Sequence, residues 1–107
     1  MFKILIFYKD ESALERYIKS FYDVSEKHLQ KKTKYERIYD NGYMLVRCVK
    51  GFHENYKACK SHLIAVQEEL TWVNKWHDIR RCILTPMLMS PIPIQVFDGI
   101  CIESYNQ

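Results

Sequence analysis

Apolar residues follow two periods along this chain, and the switches between them divide it into strands and helices. Ile4-Leu5-Ile6-Phe7-Tyr8 is an unbroken run of β-forming residues closed by Lys9-Asp10, which predicts a first strand buried on both faces. The period then lengthens. Leu14, Tyr17, Ile18, Phe21, Tyr22 and Leu29 recur at helical spacing and predict a helix whose apolar stripe lies on the sheet. Ser12 and Glu15, three residues apart, have the pattern of a capping box at its start.

Residues 35–40 and 43–49 flank Asn41-Gly42, the dipeptide that best tolerates the two positive φ values of a type I′ turn, so a β-hairpin is expected there. Residues 63–66 are wholly apolar between His62 and Gln67, as suits a strand of a parallel sheet covered on both sides. Thr71 can cap a second helix with Trp72, Trp76, Ile79 and Ile83 on one stripe, ending before Pro86. Ser90-Pro91-Ile92-Pro93 reads as a connector, because two prolines remove two amide donors. Residues 94–97 and 100–103 then flank Asp98-Gly99, a second hairpin signal. The predicted order is β, α, β, β, β, α, β, β. It implies a single small layered α/β domain over residues 1–107, a mixed sheet with two main helices and two β-hairpins.

Composition adds limits. A chain of 107 residues, 48% hydrophobic and 27% charged, can bury one core, and with 3 glycines and 3 prolines it has no linker at which to divide. The first apolar run is too short for a secretory core or a membrane span, so the expectation is a cytoplasmic protein with no membrane contact. Its cysteines (Cys48, Cys59, Cys82, Cys101) are then reduced thiols, with Cys48, Cys82 and Cys101 packing in the core. They form no Cys-x-x-Cys pair. His53, Cys59 and His62, with Cys48, are the nearest approach to a ligand set, but zinc sites usually carry two tight pairs, so neither a metal nor a cofactor is expected.

Charge is uneven: residues 1–50 hold 11 basic and 7 acidic side chains, residues 51–107 hold 5 and 6. Lys27, Lys31, Lys32, Lys34 and Arg37 concentrate the positive charge, with Tyr35 and Tyr39 among and beside them. Lysines neutralise phosphates and rings stack on bases, so this stretch is a candidate nucleic-acid surface; a lysine-rich, solvated helix end is the plainer account. Tyrosine also anchors protein interfaces, and Tyr35, Tyr39 and Tyr43 would share one face by period-two alternation.

Catalytic signatures are weaker. The turn after the first strand, Tyr8-Lys9-Asp10-Glu11-Ser12, has no glycine and carries two carboxylates, which disfavours a phosphate cradle. Glu68 and Glu69 follow the buried strand, where α/β sheets place ligand sites, and Asp10 could join them in a minimal metal-dependent hydrolase. No serine, cysteine or threonine sits in a nucleophile elbow.

Residues 36–89 resemble part of the ATPase domain of viral large terminases and related P-loop motor proteins. The resemblance is carried by Ile38-Tyr39-Asp40-Asn41-Gly42-Tyr43, Lys57-Ala58-Cys59-Lys60, residues 62–70 (HLIAVQEEL) and Trp76-His77-Asp78-Ile79 running to Thr85-Pro86-Met87-Leu88. In that family the buried strand ends in a magnesium-holding aspartate followed by a catalytic glutamate. Here Gln67 and Glu68 hold those places, and an amide is a poor magnesium ligand. With the phosphate loop also missing, the resemblance implies a degenerate domain that does not hydrolyse ATP.

The leading expectation is a small non-enzymatic binding protein, virus- or mobile-element-encoded, that acts on a protein partner as inhibitor or adaptor through a basic, tyrosine-bearing face. A nucleic-acid module using the lysine-rich stretch is the alternative, and the minimal hydrolase a third. An exposed edge strand would also permit a homo-oligomer.

Overall fold

The computed structural model describes residues 1–53, 61–84, 93–98 and 102–105, with backbone alone for 82–84 and 102–105. Among the described residues seven strands form one sheet: β1 (Phe2–Tyr8), β2 (Leu29–Lys32), β3 (Glu36–Asp40), β4 (Met44–Lys50), β5 (Leu63–Gln67), β6 (Ile94–Phe97) and β7 (Ile102–Tyr105). Their order is β2-β3-β4-β1-β5-β6-β7. β4, β1, β5 and β6 run parallel, while β3 and β7 are antiparallel to their neighbours. Helices α1 (Glu11–Phe21) and α2 (Asn74–Leu84) complete the expected α/β domain.

β1 is central and its alternation serves both faces. Ile4, Ile6 and Tyr8 pack with Leu14, Tyr17 and Ile18 of α1, whereas Leu5 and Phe7 pack with Trp76 and Ile79 of α2. That is why no polar residue interrupts the run. Each large side chain so buried contributes about 1.5–3 kcal/mol. On the α1 side, the Tyr17 ring stacks on Phe97 at 4.2 Å, and its hydroxyl donates to Gln95 Oε1 at 3.0 Å and pairs with the Tyr22 hydroxyl. Burial pushes the Tyr17 phenol well above its ordinary value.

Five details depart from the sequence reading. α2 begins at Asn74, so Thr71 does not cap it, and Trp72 lies exposed in the 3-10 turn Glu68–Trp72 before it. α1 starts at Glu11 after Asp10, so Ser12 lies inside the helix and Glu15 reaches Arg37 instead of closing a capping box. α1 ends at Phe21; Leu29 belongs to β2, an edge strand with the polar sequence LQKK. Residues 27–37 therefore form a short 3-10 turn (Glu26–His28), an edge strand and the start of β3, and no lysine-rich helix end exists. The first hairpin is present, but Gly42 alone has positive φ (91°), so its turn is not type I′. Asn41 Oδ1 accepts from the amides of Tyr43 and Met44 (2.9 Å each), which takes the place of a second positive φ. The second hairpin also forms, with Phe97 opposite Ile102; its Gly99 and Ile100, like Pro86 and the Ser90-to-Ile92 connector, lie outside the described residues.

Candidate functional site

The chain leaves β1 towards β4 and leaves β5 towards β6, so the carboxyl ends of β1 and β5 form the switch point where sheets of this kind hold ligands. Gln67 closes it. Its Oε1 accepts from the amides of Lys9 (2.7 Å) and Asp10 (3.0 Å), and its Nε2 donates to Asp10 Oδ2 at 3.1 Å. Those two amides belong to the β1–α1 turn, the position from which a phosphate would be held. Gln67 is buried, and Lys9 Nζ pairs with Glu69 at 2.6 Å over the same turn, a contact that raises the lysine pKa. Asp10 is thus bonded to an amide, Glu69 to a lysine, and Glu68 points to solvent from the 3-10 turn Glu68–Trp72.

Arg37 lies beneath the start of α1, 2% exposed, with Glu15 at 3.3 Å, Glu11 at 3.5 Å and the Tyr39 hydroxyl at 3.4 Å. Burial works against its charge, but the Tyr39 bond and the carboxylates prevail and its pKa is raised. Tyr8 shares this region, and burial pushes its phenol up to about 12. Cys48, opposite Arg37 in β4, is buried and its thiol pushed up by burial. On the other face Glu36 accepts from Lys31 (3.0 Å) and Arg47. Burial raises the Glu36 carboxyl; the two hydrogen bonds outweigh this and hold it below the ordinary range.

The predicted binding residues therefore separate. Arg37 and Tyr39 are buried and Lys31 is tied to Glu36, while Lys27, Lys32 and Lys34 are exposed. Tyr35 stands at the carboxyl end of the sheet, stacked on His53 at 4.7 Å. Tyr43 stands at the other end of the hairpin, about 17 Å away by the length of β3. The expected single tyrosine face does not form: α1 covers the side of β3 that carries Tyr39.

At the amino end of the sheet the structure gathers residues that the sequence reading did not combine. Tyr43 is 84% exposed and Phe2 45%. The Phe2 amide donates to the Tyr43 carbonyl at 3.0 Å, and the Phe2 ring stacks on His62 at 5.2 Å. His62 Nδ1 accepts from the Lys3 amide at 2.9 Å. Phe2 and His62 are 60 residues apart in sequence, and only the β1–β5 pairing, Ile4 opposite Leu63, joins them. The amphipathic start of β1 was the one available signal.

The residues nearest to a ligand set in the sequence also separate. His53 follows β4 at the carboxyl end, His62 precedes β5 at the amino end, Cys48 is buried, and Cys59 lies outside the described residues. Among the described residues no His/Cys/Asp/Glu cluster could hold a metal ion, and no helix is long and apolar enough to cross a membrane. The chain matches no protein-family model, no curated protein and no solved structure.

Proposed function

We propose that this chain is a non-enzymatic binding protein that engages a protein partner through the aromatic end of its sheet, Phe2, Tyr43 and His62. One observation carries the reading: Tyr43 is almost fully exposed yet sits on a fixed turn. Asn41 Oδ1 accepts from the Tyr43 and Met44 amides, Asn41 Nδ2 donates to the Asp23 carbonyl at 2.7 Å, and the Tyr43 carbonyl is bound by Phe2. An exposed ring on an ordered backbone loses little freedom on binding, which is the property of interface anchors.

The closure of the switch point by Gln67 supports the non-enzymatic part of this reading, since the turn amides and Asp10 are committed to one another. The proposal also accommodates the terminase resemblance as one to a non-hydrolysing relative, and with it an accessory role in a virus or mobile element. The test is capture from nuclease-treated host lysate with the native chain and with Tyr43→Asp. A protein retained in stoichiometric amount by the native chain and lost by the folded variant is the expected result. Identical recovery by both would remove Tyr43 from the interface and the reading with it.

A further inference from the structure

We infer that the carboxyl end of the β2–β4 half of the sheet is a separate site for single-stranded nucleic acid, built from Lys32, Lys34, Tyr35, Lys50 and His53. It lies at the opposite end of the sheet from the proposed protein contact and does not depend on it.

The site follows from which charges the fold uses and which it leaves. Lys31 and Arg47 are spent on Glu36, and Arg37 on Glu11 and Glu15. Lys32 ends the edge strand, Lys34 lies in the turn to β3, and Lys50 ends β4, its amide donating to the Tyr35 carbonyl at 2.8 Å. Three lysines thus share this end of the sheet with one aromatic pair, and Lys34 lies against it. The Tyr35 and His53 rings are nearly parallel (11°) at 4.7 Å, Tyr35 is 41% exposed, and Lys34 Nζ lies 5.4 Å from the Tyr35 centroid.

Aromatic side chains along a positively charged track are how sequence-tolerant single-strand binders work: bases stack, ammonium groups take the phosphates. The ammonium over Tyr35 is exposed, so a base can displace it and leave Lys34 free to meet the adjoining phosphate. Base readout in a duplex takes a helix or two-stranded ribbon in the major groove, and the β2–β3 connection that carries Lys34 and Tyr35 is a three-residue turn. Across β1, the exposed Glu68 repels phosphate and confines a strand to the β2–β4 half.

Fluorescence anisotropy of the full chain with a labelled single-stranded oligothymidine, and with the same strand in duplex, tests the site. At low salt the single strand binds more tightly than the duplex. Tyr35→Ala weakens binding about tenfold, Tyr35→Phe preserves it, and Lys34→Ala lowers the salt slope by about 0.7. Glu68→Lys extends the basic track and tightens binding several-fold. Should Tyr35→Ala fail to fold, Lys34→Glu at an exposed position must abolish binding by itself. No binding at low salt, equal affinity for duplex, or an unchanged affinity in Tyr35→Ala each overturns the inference. So does displacement by polyglutamate as effective as by unlabelled oligonucleotide, which would assign the surface to acidic proteins.

Discussion

The two ends of the central strands handle their polar and aromatic groups in opposite ways. At the carboxyl end of β1 and β5, the usual place for ligands in an open α/β sheet, Gln67, Asp10 and the turn amides are hydrogen-bonded to one another. At the amino end, where such sheets are ordinarily inert, Phe2 and Tyr43 face solvent from a backbone fixed by hydrogen bonds. In a topology that could have held a small molecule, one side-chain amide ties the turn amides and Asp10 together. A closed crevice should be sensitive to mutation for stability and silent for binding, and the aromatic end should show the reverse.

The largest effect should come from Gln67→Ala, which strips two amides and a carboxylate of their partner. A loss of about 3 kcal/mol in urea unfolding is expected, from about 1–3 kcal/mol per part-buried group left unpaired; a loss below about 0.5 kcal/mol would mean the crevice is open to water and the contrast between the ends is false. Glu36→Gln should cost about 2 kcal/mol at neutral pH, discounted for the exposure of Lys31. Because the folded carboxyl titrates below its unfolded value, its contribution is complete above the ordinary carboxylate range and is lost as the pH falls through the folded value. Native and variant stabilities should therefore converge below about pH 4.

Gln67→Glu inverts that sign. A second carboxyl beside Asp10 would be raised by like charge, so the variant should be about 1–2 kcal/mol less stable than the native chain at neutral pH and should recover as acid protonates the pair. Parallel denaturation series at neutral and mildly acidic pH read this directly, and a pH-independent deficit would place Asp10 away from residue 67. The smallest effects belong to the exposed rings. Tyr43→Ala and Trp72→Ala should each shift stability by no more than about 0.5 kcal/mol; a larger loss for Tyr43→Ala would mean the ring supports the fold instead of waiting for a partner.

Much of the fold was legible because burial leaves a pattern. β1 and β5 are apolar at successive positions since helices cover both faces, and the α2 stripe at Trp76 and Ile79 meets one of them. β2 was missed because an edge strand needs no apolar alternation: Gln30, Lys31 and Lys32 are held by backbone pairing to β3, and the lysines protect the edge. The spacing of Ser12 and Glu15 misled because the carboxylate that could have capped a helix was used on a buried arginine. Period-two alternation was used to group Tyr35, Tyr39 and Tyr43, but it could not say that α1 covers the side of β3 that carries Tyr39. The aromatic end was the least legible part, since Phe2, Tyr43 and His62 meet only through the pairing of β1 with β4 and β5.

The central claim, contact through the aromatic end and not through the crevice, is tested most directly by photo-crosslinking in the host with a photoreactive side chain placed at position 43 or at position 68. Adducts to one protein from position 43 and none from position 68 are predicted. Adducts to a protein from position 68 alone would contradict the account and return the working surface to the carboxyl end of β5.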